Sequence, residues 1–128
     1  MEQRISVAQL DELTDEQKER LQEWWKPEIG HWHIFKANGE WFSQLITNSD
    51  NVAIAKEYKH KYIPLLSIGQ CLELLADREP HLHCWQEGWE VRFIAAIEGE
   101  DDERIALLDS AVGEELITAL WQAVKAIL

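Results

Sequence analysis

Two pairs of histidines are the residues whose type and spacing could support chemistry. His31 and His33 form one His-x-His pair, and His81 and His83 form another, followed directly by Cys84. Residues two apart on a strand point to the same face, so each pair could present two imidazoles to one metal ion. Cys84 would point the opposite way, and no third ligand follows at helical spacing. The pairs therefore indicate either a metal-binding domain or partly exposed strand histidines without a ligand.

Catalytic motifs are missing from the sequence. It contains no Gly-x-Ser-x-Gly, no glycine-rich phosphate loop and no His-Glu-x-x-His. The neighbouring carboxylates Asp101-Asp102 and Glu114-Glu115 are typical of a solvated loop and a helix start, not of an acid–base pair held apart across a cleft. We expect no enzymatic activity, no catalytic residue and no cofactor.

Tryptophan is unusually frequent, with seven residues in 128. Several must belong to the core, but adjacent tryptophans on a helix point about 100° apart and cannot both be buried in the same way. Tryptophan is also enriched at binding hot spots. We expect an interaction surface among four of them, Trp24, Trp25, Trp41 and Trp85.

The net charge is −12, from 24 acidic and 12 basic residues. Such a charge repels a phosphate backbone and an anionic membrane, so we expect neither nucleic acid nor membrane as a partner. A basic protein partner is compatible with it. An acidic DNA-mimic inhibitor is a further alternative, although it would need a long carboxylate stripe, whereas the acidic residues are spread among loops and helix starts.

The cellular compartment is predicted from two features. The start, Met1-Glu2-Gln3-Arg4, lacks the apolar stretch of a signal peptide, and no apolar run approaches 18 residues. We therefore expect a cytoplasmic protein. The two cysteines, Cys71 and Cys84, lie in apolar runs without a Cys-x-x-Cys pattern and are predicted to be buried, reduced thiols.

Local signals predict the helices and strands. Capping boxes start helices at Ser6, Thr14 and Ser67. Asn38-Gly39 predicts a hairpin within 31–46, and the stretch from Val52 to Lys61 is either a strand or a loop with a helical turn. The apolar line of Leu116, Leu120, Val124 and Ile127 predicts a last helix starting near Gly113.

The second hairpin, His81 to Ile97, is predicted to turn at Glu87-Gly88. This register places Cys84 opposite Val91 and Leu82 opposite Phe93, on an inner face that ends with Ala95 and Ile97. The other face is mixed, and carries His81, His83, Trp85, Glu90, Arg92, Ile94 and Ala96. A mixed face suggests a sheet that is partly covered on both sides.

The order of elements predicts one α+β domain over 1–128, with an antiparallel sheet and helices packed on one or both faces, similar to an αβα sandwich. Residues 1–27 form an N-terminal helical segment, and residues 28–128 form the sheet and the remaining helices. The aromatic load is large for so small a core, so we expect a homodimer with a tryptophan in its interface.

Three segments carry a resemblance: Leu21-Gln22-Glu23-Trp24-Trp25-Lys26-Pro27, Pro64-Leu65-Leu66-Ser67-Ile68-Gly69-Gln70, and Ala119-Leu120-Trp121-Gln122-Ala123-Val124-Lys125-Ala126-Ile127-Leu128. They resemble small uncharacterised proteins of phages and prophages of Gram-positive bacteria. The half from Ser67 onward is also similar to the phage α-β-α sandwich domain, which implies helices on both sides of the sheet. Neither resemblance implies an activity or site residues. Together with the composition, they favour a small accessory protein of phage or prophage type that acts by binding another protein.

Overall fold

Side-chain caps start three of the helices, as the sequence predicts. The hydroxyls of Ser6, Thr14 and Ser67 each accept a hydrogen bond from the backbone N–H three residues later, and the side-chain oxygen of the glutamine there accepts one from the backbone N–H of the cap residue. These reciprocal bonds satisfy backbone N–H groups that lack a partner in the first turn. The capping boxes therefore determine where these three helices begin.

A computed structural model describes residues 3–96 and 105–128, and the side chains of 3–92 and 111–128. The helices are α1 (Val7–Leu10), α2 (Asp15–Trp24), α3 (Ser49–Glu57), α4 (Ile68–Leu75) and α5 (Leu116–Ile127). The strands are β1 (Trp32–Ala37), β2 (Glu40–Leu45), β3 (Tyr62–Leu65), β4 (Pro80–Trp85), β5 (Gly88–Ala96) and β6 (Ile105–Gly113). None of the described helices has the length and apolar character needed to cross a membrane.

The expected α+β class is confirmed, and the strands of the described residues are divided between two antiparallel three-stranded sheets. The chain forms two compact units. One contains residues 4–66 with Leu128, and the other contains the described residues of 67–127 with Gln3. The helical segment 1–27 thus falls largely in the same unit as the strands up to Leu65.

The first unit is built around the sheet β2-β1-β3. Asn38 and Gly39 turn the β1–β2 hairpin with φ angles of 53° and 80°, which confirms the predicted turn. The ambiguous stretch is helical: Asn48 caps α3 through the backbone N–H of Asn51. Trp25, Ile46 and Ala55 form a buried cluster in this unit.

The second unit contains the sheet β4-β5-β6, and α5 packs against β5, β6 and α4. α5 begins at Leu116, three residues later than the predicted start near Gly113, because strand β6 extends to Gly113. Ile117, Leu120, Trp121 and Val124 of α5 are buried. The predicted apolar line is therefore rotated slightly, since Leu116 and Ile127 are only half-buried.

The second hairpin differs from its predicted register. Its turn is Gln86-Glu87, so Trp85 pairs with Gly88, Cys84 with Trp89 and Leu82 with Val91. Each residue of β4 thus pairs with a residue two positions earlier in β5 than predicted. Because side chains alternate with a period of two, Leu82, Cys84 and Val91 still share one face, as predicted. The predicted side-chain positions from Phe93 to Ile97 lie outside the described side chains, as does the pair Asp101-Asp102.

Exposure of β4 corrects a second expectation. Val91 on the central strand β5 is fully buried, whereas Leu82, directly opposite on β4, is 37% exposed. Cys84 is likewise exposed, although it was predicted to be buried, while Cys71 on α4 is buried as expected and both thiols are free. The apolar face of the sheet is therefore shielded from solvent at the central strand β5, but not at the edge strand β4.

Candidate functional site

The outer face of the β4-β5-β6 sheet carries Trp85, the most exposed tryptophan among the described side chains of the second unit. His83 pairs with Glu90, which in turn pairs with Val112, and residues in direct register lie on one face of a sheet. The alternation of side chains adds Trp85 and Arg92 to this face. We name it the Trp85 face, defined by His81, His83, Trp85, Glu90, Arg92 and Val112.

Trp85 is exposed and nevertheless held by three neighbours. Its ring stacks on His83 with centroids 6.2 Å apart and planes 19° apart, and the guanidinium carbon of Arg92 lies 5.7 Å from the indole centroid. The indole Nε1 donates to Oε1 of Glu90 over 3.4 Å, and the same oxygen is paired with Nε of Arg92. The side chain is 55% exposed in this fixed position.

A shallow cleft of about 410 Å³ lies beside Trp85, lined by Trp85, Glu87, Gly88, Trp89, Val112, Gly113 and Glu114. Val112 is 65% exposed. The lining is mainly apolar, and the exposed acidic residues Glu87 and Glu114 are its only formally charged members. The cleft can therefore accept an apolar side chain that has a basic group beside it. Neither Val112 nor this cleft was anticipated from the sequence, because they depend on the pairing of β5 with β6.

The other three predicted surface tryptophans lie in the first unit and differ in exposure. Trp25 is only 1% exposed and belongs to the buried cluster, which corrects its assignment to an interaction surface. Trp24 is half-buried and packs against that cluster. Trp41 is half-buried with Nζ of Lys36 5.5 Å from its ring centroid. Trp85 is the one of the four that is largely exposed.

The histidine pair of the first unit flanks Trp25. The indole Nε1 donates to Nδ1 of His31 over 3.1 Å, which occupies that lone pair. His33 is buried beside Trp25 and Tyr62, with ring centroids 5.8 Å and 4.7 Å away, and its Nδ1 has no hydrogen-bond partner among the described residues. Burial lowers the pKa of His33, and a hydrogen bond with the Gln44 side chain partly offsets this effect. His33 is thus a core residue, and His31 is half-buried against Trp25.

The second histidine pair lies on the Trp85 face. His81 is exposed, and His83 is half-buried against Trp85. Within the described residues, no three His, Cys, Asp or Glu side chains are grouped closely enough to hold a metal ion. The observed contact of His83 is a stacking contact that helps to hold the Trp85 ring in place.

Helix α2 carries a short line of acidic residues, whereas a DNA mimic would require a long carboxylate stripe. Asp15, Glu19 and Glu23 are exposed and recur every four residues. Eight residues of helix span about 12 Å, so the line covers only about two turns. Lys59 donates to the carbonyl oxygen of Glu23 and adds a positive charge near its end.

A second cleft, of about 610 Å³, borders this end of α2 and is lined by Glu19, Gln22, Glu23, Glu57, Lys59 and His60. Gln22 donates from Nε2 to the carbonyl oxygens of His60 and Tyr62, over 3.1 Å and 3.0 Å. These bonds tie α2 to the segment before β3. Gln22 and Lys59 of this cleft are therefore engaged in bonds within the fold, and the Trp85 face is the stronger candidate.

No known protein family, curated protein or solved structure matches the chain. The fold and the side chains thus carry the functional argument by themselves. They define an α+β protein with a preorganised tryptophan on an open sheet face.

Proposed function

We propose that this chain acts by binding another protein through the Trp85 face. The observation that carries the proposal is the state of Trp85, which is 55% exposed although His83, Glu90 and Arg92 hold it in place. Tryptophan is among the residues that contribute most to binding energy. A side chain already held in one position loses less conformational entropy on binding.

The cleft beside Trp85 favours a partner of particular chemistry. Trp85, Trp89 and Val112 supply its apolar lining, and Glu87 and Glu114 supply negative charge. A partner segment with an apolar side chain next to a lysine or arginine matches both features. The net charge of −12 adds a long-range attraction to basic proteins. We further propose that the process is that of a phage or prophage accessory protein in the cytoplasm, which rests on the resemblance of the three segments.

The proposal is tested by affinity isolation from the cytoplasm of the organism that encodes the chain, with three forms of the bait. We expect the unsubstituted chain to recover a partner, and Trp85→Ala to lose at least about tenfold of it, since hot-spot truncations cost 2 kcal/mol or more. Phe42→Ala is the matched control, because Phe42 is a 44% exposed aromatic residue of the first unit. Equal recovery with Trp85→Ala, or loss with Phe42→Ala alone, would contradict the proposal.

A further inference from the structure

Strand β4 is an edge of its sheet. It is paired on one side with β5, and no other strand of the described chain pairs with its outer side. His81, Leu82, Cys84 and Trp85 of this strand are exposed, so both of its faces reach solvent. A row of unpaired N–H and C=O groups on such an edge is a template for another strand.

The turn determines which backbone groups of β4 point outward. Trp85 pairs with Gly88 across the two-residue loop. Residues that flank such a loop exchange backbone hydrogen bonds, and alternate residues of an antiparallel strand direct their groups to opposite sides. The N–H and C=O groups of His83 and Trp85 therefore face β5, and those of Leu82 and Cys84 face outward.

Apart from Pro80 at its first position, the β4 edge lacks the features that usually prevent strand pairing. Its six residues, Pro-His-Leu-His-Cys-Trp, include no lysine and no acidic residue, in a chain whose net charge is −12. Its pairing with β5 continues without a bulge. Edge strands are normally protected by charges, bulges or a covering element. The strand itself therefore adds no acidic charge that would repel a second copy of this acidic chain.

We propose that a second copy of this chain pairs with β4 in antiparallel orientation about a two-fold axis at His83. The outward N–H and C=O groups of Leu82 then form hydrogen bonds with those of the second copy's Cys84. By symmetry, Cys84 pairs in the same way with the second copy's Leu82. An axis at Leu82 would bring Pro80, which has no N–H, into the ladder. An axis at Cys84 would leave an overlap of only His83 to Trp85.

The pairing merges two sheets into one of six strands and places both Trp85 faces on the same side. This inference goes beyond the proposed partner binding and does not depend on it. A single strand pair buries less than the roughly 1,600 Å² of a standard interface, so the dimer is expected to be reversible at micromolar concentrations.

Disulfide cross-linking tests the position of the axis. Cys84→Ser removes the exposed thiol and leaves only the buried Cys71. In that background His83→Cys would place two thiols opposite each other at the axis, in a pair with Cα atoms about 4.5 Å apart, which a disulfide can span. We expect a covalent dimer on mild oxidation. Ser43→Cys in the same background is the control, because Ser43 is exposed on β2, an edge strand of the other sheet.

Sedimentation equilibrium of the unsubstituted chain supplies the second measurement. We expect a mass that rises with concentration from 14.9 kDa towards about twice that value. Leu82→Lys should shift the equilibrium to the monomer with an unchanged circular dichroism spectrum, because Leu82 is partly exposed and lysine blocks edges. A single 14.9 kDa species at all concentrations would overturn the proposal, as would cross-linking of His83→Cys no faster than that of Ser43→Cys.

Discussion

The backbone carbonyl oxygen of Gly113 lies so close to the Cα of Gly88 that a Cβ at Gly88 would overlap it. Gly88 also has a φ of 147°, which side-chain-bearing residues rarely adopt. Both glycines line the cleft beside Trp85. The shape of the proposed binding site therefore requires glycine at position 88.

Alanine at position 88 should destabilise the second unit. Gly88→Ala combines backbone strain with a clash against backbone atoms, and we expect a loss of about 2 kcal/mol or more in the free energy of unfolding, measured by urea denaturation. Gly69→Ala is the matched control, because a Cβ at Gly69 in α4 would lie 3.8 Å from Oγ of Ser67, an ordinary van der Waals contact. That change should stabilise by about 0.5 kcal/mol or more. Equal effects of the two substitutions on the free energy of unfolding would contradict the conclusion that position 88 requires glycine.

Buried His33 should make stability fall in mild acid. Its pKa in the folded protein is lowered from the ordinary value of 6.5 by burial. Below 6.5 the unfolded chain therefore binds more protons than the folded chain, so the free energy of unfolding decreases as the pH falls, and above 6.5 the effect vanishes. We expect His33→Phe to flatten the dependence of the urea midpoint between about pH 7 and pH 5.

The control for His33 is the exposed His60. His60→Gln removes an imidazole from an exposed position of the same unit and so controls for the loss of a histidine as such. An acid-dependent loss of stability that persists in His33→Phe would show that another group is responsible.

The two thiols should react at very different rates. Burial raises the pKa of Cys71 to about 12, and the thiolate is the reactive form. Cys84 is exposed on β4. A thiol reagent should label one cysteine rapidly in the native protein, and Cys84→Ser should abolish this phase. Rapid labelling of that variant would mean that Cys71 is accessible.

Trp121 should be essential for the second unit. It is fully buried on α5, and truncating a buried tryptophan costs about 3–5 kcal/mol. Trp121→Ala should therefore remove much of the stability, as measured by thermal unfolding followed by circular dichroism. The neighbouring Gln122 is exposed, so Gln122→Ala should change stability by no more than about 0.5 kcal/mol. A small effect at Trp121 would place α5 outside the core.

Much of the local structure could be predicted from the sequence, because its causes lie within a few residues. Ser67 and Gln70 cap α4 through bonds over three residues, and Asn38-Gly39 adopts the positive φ angles that a tight hairpin needs. The last helix was recognised from its apolar spacing, although its start was displaced to Leu116 by the length of β6. The sequence left residues 52–61 undecided between a strand and a loop with a helical turn, because the helix cap that decides it, Asn48, lies within a stretch whose composition is that of a loop.

Burial was decided by tertiary structure. Cys71 and Cys84 occupy similar apolar runs, yet Cys71 is buried in the core, whereas Cys84 lies on the edge strand β4 and is exposed to solvent. In the same way, Trp25 is enclosed by α3 and the end of β2, whereas Trp85 is left open at the end of β4. The sequence by itself determined the caps, turns and strand alternation, since these depend on neighbouring residues. Only the folded chain decided which strands pair and which become edges, because such contacts join residues far apart in sequence.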